Sequence, residues 1–173
     1  MVVDWQLAST YVVLASTAHH QLSSTLAFGA STSAQPTTHT WQHPTLRRYK
    51  CKIDAAFSSQ FNRTSIGICV CDSDSTFFFA KTVIYPCMVS IDVAEALGLH
   101  SALQWLSDMQ MDGVDFETNL KLTSDAFLST RNDTSEFGSI ISSCRLLFSS
   151  FFSNFRVEFV RRQANAVAHA FAR

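Results

Sequence analysis

The sequence predicts an α/β domain whose elements follow the order βββαβα(α)βα. Two observations predict it: three strand-like segments succeed one another from residue 49, and helical and strand patterns then alternate to the end of the chain. The chain has 173 residues, of which 47% are hydrophobic and 15 are Phe. This apolar content is sufficient for one packed core.

The first three strands are predicted by their hydrophobic patterns. Residues 49–54 alternate apolar and polar side chains, whereas residues 65–71 form an almost continuous apolar run, typical of a strand that is covered on both faces. Turn-forming residues separate this run from a third strand at residues 77–84. The three strands together predict an antiparallel meander.

Helices and strands then alternate. Ser90 is the predicted N-cap of a helix that ends before Gly113, and residues 114–118 alternate as a fourth strand. Asp133 and Glu136 have the spacing of a capping box ahead of an amphipathic helix. The remaining predicted elements are a weak helix at 120–128, a period-two strand at 155–160 and a short helix at 164–171.

Residues 1–45 differ in composition from the rest of the chain. They are rich in Ser, Thr, Ala and His, and Asp4 is the only charged residue among them. The apolar patch at 11–14 is too short to predict a helix. We therefore predict a flexible leader at residues 1–45 and a folded domain at residues 46–173.

Charge and cysteine content limit the class of protein. Removing Asp4 from the 14 acidic residues leaves 13, equal to the 13 basic ones, so nucleic-acid contacts would need a local basic cluster. The five cysteines include no CxxC pair and predict buried, reduced thiols. We expect a cytoplasmic or nuclear protein, neither secreted nor membrane-bound.

Asp54 and Glu95 are the first candidate site residues. Asp54 is an acid within an apolar strand, and Glu95 lies near the start of a helix that otherwise presents Ala and Leu. Carboxylates that converge from different elements suit hard Mg²⁺ ions. Each residue taken alone is equally compatible with an ordinary polar position.

The motifs of the domain, in this order and spacing, resemble those of a known family. They comprise Trp41-x-x-Pro44, the segment 50–57, Gly67-Ile68, Asp72-Ser73-Asp74, the segment 95–99 and the segment 160–169. From Trp41 to Arg173 the chain resembles the plant-type ribonuclease H-like domains, related to the ribonuclease H region of non-LTR retrotransposon reverse transcriptases. The resemblance implies a five-stranded mixed sheet flanked by helices.

The resemblance also implies hydrolysis of RNA in RNA–DNA hybrids with Mg²⁺ (or Mn²⁺). Asp54 and Glu95 match two of the family's four metal-binding acids. The third acid closes a Glu-Ser/Thr-Asp motif, which here ends in Asn119, while Asp125 lies six residues further on and is rejected as the substitute. The fourth acid is replaced by His169. Only two of the four catalytic positions therefore retain a metal-binding acid.

Arg161, Arg162 and Asn165 are the predicted nucleic-acid-binding residues. The arginines form the best local basic cluster, and Arg162 with Asn165 matches the family's Arg-x-x-Asn pattern. An ordinary solvated arginine pair with a helix-capping Asn is an equally good interpretation.

Three functional hypotheses follow. The chain is a weakened Mg²⁺-dependent hybrid ribonuclease, an inactive nucleic-acid-binding module, or a drifting retroelement fragment. A fourth idea, one metal ion of another kind held by Asp54, Glu95 and His169, is less favoured. We expect a monomer with no small-molecule cofactor.

Overall fold

The computed structural model describes residues 9–14, 48–72, 76–151 and 155–173. Of the motif residues, Trp41, Pro44, Ser73 and Asp74 lie outside the described residues. The elements are β1 (Ser9–Leu14), β2 (Tyr49–Ser58), β3 (Arg63–Cys71), β4 (Phe77–Tyr85), α1 (Ile91–Asp108), β5 (Val114–Thr118), α2 (Lys121–Leu128), α3 (Glu136–Phe151), β6 (Arg156–Phe159), a 3-10 turn (Arg162–Asn165) and α4 (Ala166–Ala172).

The predicted α/β fold with its five-stranded mixed sheet is confirmed. The sheet order is β1-β4-β3-β2-β5-β6, in which β2, β3 and β4 form the antiparallel meander. Strand β5 then pairs parallel to β2, and β6 pairs parallel to β5. The parallel pairs bring the carboxyl ends of β2 and β5 to the same edge of the sheet.

A sixth strand, β1, comes from the segment for which the sequence predicted a flexible leader. It pairs antiparallel with β4, from Ser9 opposite Ile84 to Leu14 opposite Phe79. Six residues are too few to show a helical period but enough for a strand, and the edge of β4 supplies the backbone partners. The rest of residues 1–45 lies outside the described part of the chain.

The core lies between the sheet and α1. Ile53 and Ile66 on neighbouring strands face α1 at Gly98, where an added Cβ would lie 2.6 Å from the Ile53 Cγ2 atom. Helix α3 packs against α1 on the side away from the sheet, and the Cys144 thiol approaches the Ala96 carbonyl oxygen at 3.8 Å. All five cysteines are free thiols, and four of them are buried.

Helix α4 packs against the opposite face of the sheet. Gly67 of β3 permits this, because an added Cβ would lie 2.2 Å from the Ala168 carbonyl oxygen. The Thr82 hydroxyl donates a hydrogen bond of 2.8 Å to the Phe171 carbonyl oxygen, and the Asn165 side chain donates one of 2.6 Å to the Ile53 carbonyl oxygen. Backbone contacts therefore fix the position of α4.

The helix starts differ in detail from the predicted caps. Ser90 is the N-cap of α1 but makes no side-chain capping hydrogen bond. The predicted Asp133–Glu136 capping box is wrong: Ser135 precedes α3, and its hydroxyl accepts a hydrogen bond from the Gly138 N–H at 3.1 Å. Asp133 instead accepts one from the Ser135 N–H at 2.9 Å. None of the helices in the described ranges is long and apolar enough to cross a membrane.

We predict that Gly67→Ala destabilises the protein by about 2 kcal/mol, because the new methyl group would collide with the backbone of α4. Urea unfolding measures the loss, and hydrogen exchange should localise it to residues 166–172. Gly98→Ala is the control for location, since its methyl group would clash with the Ile53 side chain on the other face and should leave the protection of residues 166–172 unchanged. Equal protection of α4 in the wild type and the Gly67→Ala variant would contradict the prediction.

Candidate functional site

The parallel pairing of β2 with β5 positions the first two site residues. Ile53 lies opposite Thr118 in the register, so Asp54 and Asn119 are the next residues along two adjacent parallel strands. Asp54 in turn lies opposite Gly67 of β3. The close approach of α4 at Gly67 therefore places that helix beside Asp54.

Asp54 is a buried carboxylate that accepts hydrogen bonds on both of its oxygens. Only 1% of its surface is exposed. The Asn119 side-chain amide donates to Oδ1, and His169 Nδ1 lies 2.6 Å from Oδ2. With an ionised Asp54 as the acceptor, we assign the imidazole proton to Nδ1. Three of the four predicted catalytic residues thus form one hydrogen-bonded group.

Glu95 reaches the same edge of the sheet from α1 on the other face. Its Oε1 accepts a hydrogen bond from the Ala55 N–H at 3.2 Å, and its Oε2 accepts one from the Thr118 hydroxyl at 3.1 Å. Burial and the negative charge of Asp54 raise the pKa of Glu95 to about 7. The two hydrogen bonds and the positive charge of Arg162 oppose that rise.

The polar face of β2 is buried rather than solvated. Lys50 and Lys52 are 8% and 7% exposed, although the alternating pattern is typical of a strand with one face in solvent. Glu117 of β5 compensates their charges, with Lys50 Nζ at 2.5 Å and Lys52 Nζ at 4.0 Å from its carboxylate. Asp54 therefore continues a row of buried charges that are matched by partners on neighbouring elements.

A cavity of about 520 Å³ opens at this edge of the sheet. Its walls are partly apolar, with Phe57, Ile91 and Leu120 beside the charged groups. The polar side chains that line it are Asp54, Glu95, Asn119, Arg162, His169 and Arg173. All four predicted catalytic residues therefore face one cavity.

The predicted nucleic-acid-binding residues have different positions. Arg162 is exposed and lines the cavity, whereas Arg161 is exposed at the start of the 3-10 turn and is not part of the lining. Asn165 has no exposed surface, and its side-chain amide is bound to the Ile53 carbonyl oxygen. Asn165 thus attaches the last helix to β2 and presents no group to a ligand.

The donor set is a poor match for two Mg²⁺ ions. Asn119 turns its amide N–H toward Asp54, and His169 offers nitrogen, whereas Mg²⁺ prefers oxygen ligands with negative charge. Hydrogen-bond donors already neutralise part of the Asp54 charge. Within the described part of the chain, no three His, Cys, Asp or Glu side chains are grouped as a metal site requires.

Asp125, the alternative third acid, lies apart from the cavity. It is on α2, where its carboxylate is 2.5 Å from Lys121 Nζ on the surface of that helix. Asn119 is the residue of this segment that contacts Asp54. Asn119, and not Asp125, is therefore the residue of this segment that lies at the cavity.

Sequence reasoning missed several contributors to the site. Thr118 and the Ala55 N–H hold Glu95, and Gly67 admits the helix that carries His169. Thr118 could have been found, because it stands inside the Glu-Thr-Asn motif. No local pattern marks Gly67, whose role depends on a helix about 100 residues further along the chain.

We predict that Glu95 lowers stability as the pH rises. Its pKa is higher in the folded protein than in the unfolded chain, so the stabilising proton is lost between the unfolded value and about 7. The free energy of unfolding should fall by at most about 3 kcal/mol over this range. Urea unfolding of the wild type and of Glu95→Gln at about pH 5 and about pH 8 measures the difference. The same pH dependence in both proteins would contradict the prediction.

Comparison with solved structures shows the fold. RNase H1 from the halophilic archaeon Halobacterium salinarum NRC-1 has a TM-score of 0.62 and 17% identity, covering 72% of this chain and 93% of that chain. LC11-RNase H1 from a compost metagenome was solved in complex with an RNA/DNA hybrid. It has a TM-score of 0.62 and 16% identity, and the alignment covers 72% of this chain and 93% of that chain. An N-terminal RNase H domain from Mycobacterium tuberculosis has a TM-score of 0.60 and 17% identity, and the alignment covers 72% of this chain and 90% of that chain.

Comparison at the level of sequence identifies the family. None of the curated proteins matches the chain. Residues 52–173, which run from within β2 to the last residue of α4 and beyond, match the family described as reverse transcriptase-like. The chain therefore belongs to the reverse transcriptase-like family, and its domain has the ribonuclease H fold.

Proposed function

We propose that the chain is a nucleic-acid-binding domain of ribonuclease H fold in which Mg²⁺-dependent cleavage of RNA–DNA hybrids is strongly impaired. Binding is supported by the family and by the similarity to LC11-RNase H1, which was solved with an RNA/DNA hybrid. The impairment is supported by the contacts of Asp54. The two parts of the proposal rest on different observations and can be tested separately.

The observation that carries the proposal is the hydrogen-bonded group of Asp54, Asn119 and His169. The four catalytic positions carry a formal charge of −2 with neutral His169, where four acids would carry −4. One pair of unit charges 4 Å apart is worth about 4 kcal/mol at an effective dielectric of 20. Two missing charges would therefore weaken the attraction for divalent ions severely, even after the relief of repulsion between the acids.

A residual ribonuclease is the alternative function, and one observation favours it. Asp54 and Glu95 still face a common cavity that is open to solvent. Proteins of this fold generally use divalent metal ions, so Mg²⁺ or Mn²⁺ would bind first at these two acids. Asn119 and His169 would then have to turn away from Asp54 and serve as weak substitute ligands.

A charge-restoring double variant tests the loss of cleavage. Asn119→Asp with His169→Asp should raise Mg²⁺-dependent cleavage of a labelled RNA–DNA hybrid at least about hundredfold over the wild type, because the barrier falls by roughly 3 kcal/mol or more. Adding Asp54→Asn to the double variant should abolish the gain. Wild-type cleavage with Mg²⁺ or Mn²⁺ that disappears in Asp54→Asn alone would instead establish the residual ribonuclease.

A second experiment tests binding without cleavage. Replacing both Arg161 and Arg162 by Ala should weaken hybrid binding at least about tenfold, because each arginine can contact a backbone phosphate. Fluorescence anisotropy at fixed ionic strength measures the affinity. Arg131→Ala is the matched control, since Arg131 is an exposed arginine in the loop between α2 and α3. If the wild type does not bind the hybrid, the proposal that the chain is a nucleic-acid-binding domain is wrong.

A further inference from the structure

We propose that the cavity at Asp54 binds a backbone phosphate directly through Arg162, so that an arginine performs the charge neutralisation that divalent ions perform in a metal-dependent nuclease. The inference rests on the proposed nucleic-acid binding and names the group that is bound at this site. On this proposal the cavity prefers an anion, whereas the site of a metal-dependent nuclease prefers a cation.

The oxygens of the two acids already accept hydrogen bonds from other groups of the protein. Both oxygens of Asp54 accept hydrogen bonds, from Asn119 and from His169. Both oxygens of Glu95 likewise accept hydrogen bonds, from Ala55 and Thr118. A phosphate that enters the cavity therefore meets carboxylates whose charges are partly offset by protein donors.

Arg162 is a cation that lines the same cavity as these acids. Within the described part of the chain, the Arg162 guanidinium has no hydrogen-bond or ion-pair partner, although it lines the cavity. All five of its N–H groups are thus available to a ligand, and a guanidinium binds phosphate oxygens in a bidentate manner.

The size and the walls of the cavity suit part of a nucleotide. A volume of about 520 Å³ is ample for a phosphate together with part of a sugar. Phe57, which is 37% exposed, and Ile91, which is 62% exposed, form apolar walls that can pack against a sugar or a base. Arg173 is a second arginine among the lining residues. Two arginines and several apolar side chains therefore share the lining of this cavity with the two acids.

Hybrid binding with and without Mg²⁺ tests the inference. Anisotropy with a labelled RNA–DNA hybrid is measured in EDTA and in Mg²⁺ at constant ionic strength, because salt alone changes such affinities. The wild type should bind equally well in both, to within about twofold, and Arg162→Ala should bind about tenfold more weakly. Arg131→Ala, outside the cavity, is the control. An affinity of the wild type that increases tenfold or more with Mg²⁺ would overturn the inference.

A titration with inorganic phosphate separates failure of this inference from failure of the proposed function. NMR signals of the Arg162 side chain should shift on addition of phosphate, and those of Arg131 should not. If the wild type binds no hybrid but these signals shift, the phosphate site stands and the proposed function fails. If the hybrid binds while the signals and the Arg162→Ala variant show no effect, the inference fails and the function stands.

Discussion

A carboxylate buried at the end of a strand needs compensation, and this requirement organises the site. Asp54 is almost fully withdrawn from solvent, where an unpaired charge would cost several kcal/mol, on the order of the whole stability of a domain. In a metal-dependent site, divalent ions supply that compensation. Here an amide from the end of β5 and an imidazole from α4 supply it within the protein. Each oxygen of Asp54 therefore has a hydrogen-bond donor from the protein itself.

The same contacts connect the site to the fold. Parallel pairing of β2 with β5 places Asn119 beside Asp54, and the absence of a side chain at Gly67 lets α4 bring His169 to the other oxygen. Asn165, fully buried, joins α4 to the β2 backbone one residue before Asp54. A change in the docking of α4 would thus alter the charge balance at Asp54, and this coupling links stability to the chemistry of the cavity.

Local sequence patterns predicted most of the helices and strands. The features that were not predicted depend on contacts between distant segments of the chain. Residues 114–118 form a strand with the predicted bounds, since their alternation depends only on neighbouring residues. The strand at residues 9–14 was missed, because its stability depends on the edge of β4. The motif interval placed Asn119 at the site, but no sequence pattern indicates that its amide nitrogen would turn toward Asp54. The burial of Lys50 likewise depends on Glu117 across the sheet.

NMR of the His169 imidazole would show whether the hydrogen bond between His169 and Asp54 persists when Mg²⁺ is present. Long-range proton–nitrogen spectra report which ring nitrogen carries the proton. We predict a proton on Nδ1 that is hydrogen-bonded to Asp54, with an Nδ1 signal that does not change when Mg²⁺ is added at constant ionic strength. An Nδ1 without a proton, or an Nδ1 signal that shifts and saturates with Mg²⁺, would show that a metal ion displaces the histidine from Asp54 and would contradict this prediction.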